Sequence, residues 1–179
     1  MTTPLDPELN PSPGPAVSIR PATEADVPQI LHYIHELAAY ENLSHQVEAT
    51  EELLRQNLFG PSVHGEVVFA EVDGVDVGFA LFFHTFSTFL GQSGIYLEDL
   101  FVKPESRGRG VGTVLLRYLA KLAVERGCGR LEWVVLDWNS SAIRFYEGLG
   151  ASCMDGWTTF RLDGAALAEL GAAGAPERA

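Results

Sequence analysis

Cysteine is nearly absent: Cys128 and Cys153 are the two in 179 residues. Their separation matches no zinc-ligand spacing, and neither has an evident catalytic partner nearby in sequence, so two free thiols in a reducing compartment are expected. Histidine is sparse and scattered, five in all, and His32 with His35 lacks the HExxH spacing of a zinc helix. A metal centre needs three or four convergent ligands, and none is expected. Basic residues are few as well, 12 Lys and Arg against 24 Asp and Glu, for a net charge of −12. That balance argues against nucleic acid, whose binding needs a basic footprint. It fits either a solubilising surface or the steering of a cationic small molecule toward a carboxylate-lined cleft. No apolar run approaches the ~20 residues that a membrane helix requires. Neither end reads as a basic start followed by an apolar core, and the expected location is the cytoplasm, away from membranes.

What remains is a chain of one domain's size, 46% hydrophobic, able to bury one sizeable core. Residues 1–16 hold Pro4, Pro7, Pro11, Pro13 and Pro15 without apolar periodicity and are expected to form a disordered arm. Residues 17–170 make the expected single domain, and residues 171–179, rich in Gly and Ala, a flexible tail.

Local signals lay out the elements. A strand begins at Ile19 and stops at Thr23, where Thr23-Glu-Ala-Asp26 has the form of a capping box with Asp in place of Glu or Gln. The helix it opens carries Val27, Ile30, Leu31, Ile34, Leu37 and Ala38 on one stripe, to about Tyr40. Thr50 can cap a second helix with Glu51 and Glu52 in its first turn and Leu53, Leu54 and Leu58 facing inward. Two strands, Glu66–Val72 and residues 75–85, flank Asp73-Gly74, a strong two-residue hairpin signal. Further strands are expected at residues 95–102, at residues 131–136, and as a final pair around Cys153 and residues 158–162. Strands interleaved with helices, with hairpins in the middle, predict a mixed α/β sheet covered by helices.

The densest information lies between Ile95 and Ala151. The apolar strand at residues 95–102 leads into Arg107-Gly-Arg-Gly-Val-Gly112, which opens a helix with Val111, Leu115, Leu119, Leu122 and Ala123 in helical register. The first amides of a helix lack internal partners and sit at the positive end of its dipole, while glycines let a ligand come close to the backbone. A pyrophosphate fits such a seat. No Lys-Ser or Lys-Thr closes the run, so it is not Walker A, and the glycine spacing is not that of a dinucleotide fold. By itself a Gly/Arg cluster is also an ordinary surface turn.

The context decides between them. After the glycine turn and its helix come the expected strand at residues 131–136 and then Asp137-Trp-Asn-Ser-Ser-Ala-Ile-Arg-Phe-Tyr-Glu-Gly-Leu-Gly-Ala151. This order resembles the GNAT superfamily of N-acetyltransferases. Arg107-x-x-Gly110-x-Gly112 is similar to its coenzyme A pyrophosphate motif, and residues 139–150, with Ala142, Phe145 and Tyr146, to its second coenzyme-binding helix. Tyr96-Leu-Glu-Asp99, Asp137-Trp-Asn139, Phe145-Tyr146 and Gly156-Trp157 look like the spermidine/spermine and thialysine acetyltransferases, with agreement from about Ile19 to Leu162.

The resemblance implies the GNAT fold, a mixed and mostly antiparallel sheet whose central strands splay apart and are flanked by helices. It implies acetyl-CoA as co-substrate and no metal. The implied coenzyme contacts are Leu100, Phe101 and Val102 on the splayed strand, Arg107, Gly108, Arg109, Gly110, Val111, Gly112 and Thr113 at the turn, and Asn139, Ser141 and Ala142 on the later helix. Backbone amides near Leu100 and Val102 can then meet the thioester and the pantetheine arm. Asn139 is equally placed to cap its own helix.

An alkylammonium group near pKa 10.4 must lose a proton before its nitrogen attacks, so the site needs a base. The resemblance gives that role to Glu98, with Asp99 beside it on the opposite face if the strand is regular. Asp99 is otherwise a partner for a structural amide or arginine. Tyr146 is the implied hydrogen-bond donor to the departing thiolate, or else a core aromatic like Phe145. Substrate contacts map to Tyr40, Glu41, Glu132, Trp133, Val134 and Asp155, and each acid among them is by itself equally an ordinary solvated charge. Ser87-Thr-Phe-Leu-Gly91 and Val135-Leu-Asp-Trp-Asn139 look more like the thialysine branch than the polyamine branch. The expected activity is acetyl transfer to a primary amine of a small cationic metabolite, a polyamine or a lysine-like amino acid, by a homodimer. The alternatives are a non-catalytic acetyl-CoA sensor and an acetyltransferase of protein lysines or N-termini.

Overall fold

A computed structural model describes residues 16–174; residues 1–15 of the expected arm and residues 175–179 of the expected tail lie outside them. The strands are β1 (Val17–Pro21), β2 (Glu66–Val72), β3 (Val75–Ser87), β4 (Gln92–Val102) and β5 (Leu131–Glu132), and the helices α1 (Val27–Tyr40), α2 (Glu51–Phe59), α3 (Val111–Glu125), α4 (Ser140–Gly148) and α5 (Gly164–Ala172). The five strands form one sheet in sequence order, antiparallel from β1 through β4 and parallel between β4 and β5. The chain divides after Val134 into two compact units. The whole sheet and α1, α2 and α3 belong to the first.

The capping and turn chemistry operates as the residues dictate. Asp26 Oδ2 accepts from the Thr23 N–H at 2.7 Å and from its hydroxyl at 2.8 Å. Both Asp26 oxygens also accept from Arg20, which grips Asp76 with its other edge. Arg20 thus pins the entry of α1 to the β3 strand. Thr50 accepts from the Leu53 amide at 3.2 Å and caps α2. Asp73 and Gly74, both at positive φ, make the β2–β3 turn.

Strand alternation sorts the core onto two faces. Phe69, Phe79 and Phe101 point to one side, where they meet Ile30 and Tyr33 of α1 and Leu58 of α2. Tyr33, fully buried, is the centre of this cluster, with ring centroids 6.0, 5.5 and 5.5 Å from Phe69, Phe79 and Phe101, and its hydroxyl donates to the Asp76 carbonyl at 2.7 Å. Each such pair contributes about 0.5–1.5 kcal/mol beyond area burial. On the other face lie Ala80, Phe82, Ile95 and Leu97, and α3 packs there through Val111, Leu115 and Leu119.

Three expectations are corrected. Leu53 is exposed rather than inward-facing, since α2 meets the core through Leu54, Leu58 and Phe59. The strand expected at residues 131–136 has a ladder partner only at Leu131 and Glu132. The final pair of strands, around Cys153 and at residues 158–162, is irregular backbone, because β structure comes from pairing and packing rather than from propensity, and no partner strand is supplied. The second unit holds α4 and α5, and α5, which the sequence reading did not anticipate, extends into the segment expected as tail. Cys128 and Cys153 are both free thiols.

Candidate active site

The centre of the first unit is an irregularity in β4. Its register with β3 runs Phe82 to Leu97 and then Leu81 to Asp99, which leaves Glu98 as an extra residue opposite Leu81. The backbone confirms a bulge. The Ile95 N–H donates toward the β5 side, to Arg130, while the Lys103 N–H donates toward the β3 side, to Val77. In a regular strand residues eight apart point the same way, so one residue of register has been inserted between them. The insertion turns the Leu100 and Val102 amides to the edge that β5 leaves after Tyr96.

The same bulge changes where the acids point. Leu97 shares the α3 face with Phe82, and Asp99 shares the α1 face with Leu81 and Phe101. Glu98, between them, joins Asp99 on the α1 face instead of opposing it. Three carboxylates gather as a result, since Glu41 stands at the end of α1. Asp99, half-buried, has its pKa pushed up to about 6, first by burial and then by the negative charges of Glu98 and Glu41. Burial also raises the Glu41 carboxyl, and the Tyr96 phenol is raised by burial and then by Glu98 and Glu132. Among the described residues none of the three carboxylates is in an ion pair with a cation.

The glycine turn stands at the other end of β4. Gly108 and Gly110 have φ of 73° and 82°, in the left-handed region that favours glycine. Gly110 is the N-cap of α3 and supplies no side-chain cap; the first helical bond runs from Val114 N–H to its carbonyl at 3.0 Å. The amides of Val111, Gly112 and Thr113 therefore precede the helical ladder and point outward at the positive dipole end. Arg107, at the start of this turn, is held by its side-chain contacts: its Nε donates to the Val102 carbonyl at 2.9 Å, and its guanidinium lies 4.6 Å from the Tyr40 ring centroid and 5.8 Å from that of Phe101. Arg109 is exposed beside it.

Other sequence candidates fall elsewhere. Glu132 is paired with Arg130 at 2.6 Å, Trp133 is half-buried and Val134 exposed. The second unit carries Asn139, Ser141, Ala142, Tyr146 and Asp155. Asn139 Oδ1 accepts from the Ala142 amide at 3.2 Å and from the Ser141 hydroxyl at 3.1 Å, so it caps α4 and engages two of the expected coenzyme contacts itself. Tyr146 lies half-buried on α4 with its ring 5.3 Å from that of Phe145, and Asp155 is exposed in a turn. Neither the shared face of Glu98 and Asp99 nor the seat of Arg107 on Tyr40 had a sequence signal, because both depend on a partner far along the chain. Among the described residues no group of three or more His, Cys, Asp or Glu side chains is placed to hold a metal ion, and no helix is long and apolar enough to cross a membrane.

Comparison with known proteins agrees with the fold. The family described as acetyltransferase (GNAT) matches residues 31–151. Thialysine N-epsilon-acetyltransferase of Bos taurus is 41% identical over 165 residues, covering 86% of this chain and 96% of its own. An L-ornithine N5-acetyltransferase of Arabidopsis thaliana is 36% identical, covering 83% and 85%. Among solved structures, an integron cassette protein from the mobile metagenome of V.cholerae superimposes with a TM-score of 0.75 at 27% identity, over 89% of this chain and all of its own. The chain belongs to the GNAT family of acetyltransferases.

Proposed function

We propose that this enzyme transfers the acetyl group of acetyl-CoA directly to the side-chain amine of a small cationic amino acid resembling thialysine or ornithine, with a polyamine as the second substrate class. The observation that carries the reading is the grouping of Glu41, Glu98 and Asp99 around the bulge of β4, one residue from the tyrosine on which Arg107 rests. A substrate ammonium group is the natural counter-charge for carboxylates that have no cation of their own. Names of relatives from two kingdoms point to the same kind of amine.

The residues fit acetyl-CoA as co-substrate. The outward amides of Val111, Gly112 and Thr113 and the guanidinium of Arg107 suit a pyrophosphate, and the amides of Leu100 and Val102 suit the arm that follows it. When bound, the coenzyme supplies the activated acetyl thioester. Glu98, exposed, takes the amine proton through water, and Asp99, held near pKa 6, keeps the approaching ammonium in place and stands closer to neutrality as an acceptor. Tyr146 keeps the role given by resemblance, a hydrogen-bond donor to the departing thiolate. A phenol near pKa 10 stabilises a thiolate near 8.5 by hydrogen bonding more readily than by full proton transfer. The same reading takes residues 17–170 as one domain of a cytoplasmic homodimer.

Incubation with acetyl-CoA and a panel of thialysine, lysine, ornithine, spermidine and protein N-terminal peptides, read by thiol release, tests it. Turnover of the amino acids ahead of the peptides is expected. Coenzyme binding without turnover of any amine would leave a sensor module and overturn the proposal.

A further inference from the structure

We infer that Tyr40 is a positioning residue for the coenzyme, acting through Arg107; the inference rests on the reading of the turn at residues 107–112 as the pyrophosphate seat. An exposed arginine on a loop carries about 2 kcal/mol of rotamer entropy, which a ligand must remove when it fixes the side chain. Here it is already fixed. The Nε bond to the Val102 carbonyl holds the stem, and the Tyr40 ring at 4.6 Å and the Phe101 ring at 5.8 Å hold the guanidinium plane.

The choice of partners matters in a chain with twice as many acids as bases. Arg20, Arg55, Arg126 and Arg130 each hold carboxylates, whereas Arg107 holds a carbonyl and two rings. A carboxylate at position 40 would orient the guanidinium equally well but would neutralise it and compete with an anionic ligand. A ring face orients the cation and leaves its charge available. Tyr40 sits on α1, 67 residues before Arg107 and immediately before Glu41, so one side chain joins the coenzyme turn to the acidic end of α1. Whatever the Tyr40 hydroxyl does on the acceptor side, its ring face serves the coenzyme by pre-organisation.

The test compares Tyr40→Leu, Tyr40→Phe, Arg107→Ala and the Tyr40→Leu/Arg107→Ala double variant in coenzyme A binding by titration calorimetry. Tyr40→Leu should raise the dissociation constant about two- to five-fold, the range of one half-exposed cation–π contact, and Tyr40→Phe should bind like the parent. In the Arg107→Ala background Tyr40→Leu should add nothing, since the two act as one unit. An independent readout is the Arg107 Nε–H resonance, shifted by ring currents alike in the parent and in Tyr40→Phe and changed in Tyr40→Leu, where only the Phe101 ring remains. Undiminished coenzyme affinity in Tyr40→Leu, or the same loss with Arg107 absent, overturns the inference. If Arg107→Ala itself binds coenzyme A as the parent does, the pyrophosphate seat falls and the inference with it; weakened binding by Arg107→Ala alone overturns only the role of Tyr40.

Discussion

Asp99 is held in a state that its own folding opposes. Burial and two neighbouring acids put its pKa near 6 in the folded chain, above the ordinary carboxylate value, so the folded state binds the proton more tightly than the unfolded one. Stability from this residue is therefore greatest at low pH and is lost as pH rises from about 4 through about 6. Asp99→Asn should accordingly raise the melting temperature at pH 8, by on the order of 1–2 kcal/mol of stability, and change it little at pH 4. Amine turnover should fall in the same variant, and the parent's turnover should rise with pH through about 6 as Asp99 ionises. Thermal melts at the two pH values decide it; an equal shift at both would mean that Asp99 is not destabilised by its charge. The identity of this acid pair was legible from Tyr96-Leu-Glu-Asp99, but the shared face was not, because a bulge is a property of two strands.

Among the elements, the turn into α3 is the one whose conformation the residues most strictly require. Gly110 sits at φ 82°, and a Cβ placed there would meet nothing within 4 Å, so any penalty for a larger residue is conformational and not steric. Gly110→Val should cost about 1–2 kcal/mol of stability if the turn keeps its shape. If it relaxes instead, the amides of Val111, Gly112 and Thr113 lose their common direction. Coenzyme affinity should then drop about ten-fold, the equivalent of ~1.4 kcal/mol, with amine binding little changed. Equal loss for both ligands, measured by calorimetry, would indicate general misfolding. The turn itself was readable locally from glycine, arginine and the helical stripe after it, but its reading as a pyrophosphate seat needed the strand and helix that follow and the family resemblance they carry.

The whole molecule carries a net charge of −12 and large apolar side chains on its surface, among them Phe89 at the β3–β4 turn and Trp157 and Phe160 in the second unit. The acidic field should draw a cationic amine toward the carboxylates at β4. Raising ionic strength should therefore lower kcat/KM for the amine, with screening over about 8–10 Å at ordinary salt; indifference to salt would remove steering from the account. Association into a dimer fits the exposed aromatic residues, and light scattering at micromolar concentration should return twice the monomer mass of 19.5 kDa. A monomer there would refute the dimer.

Local chemistry in the sequence determined α1, α2 and α3, the Asp73-Gly74 hairpin, the caps at Thr23 and Thr50, and the glycine turn with its outward amides, because each is set by residues within one or two turns of chain. Tertiary structure alone decided that Glu98 and Asp99 share a face, that Leu100 and Val102 turn their amides to the open edge, that β5 stops after two residues, and that Arg107 rests on Tyr40. Each of these follows from the pairing of segments that no local pattern encodes: β3 sets the bulge in β4, and α1 brings Tyr40 to a turn 67 residues later.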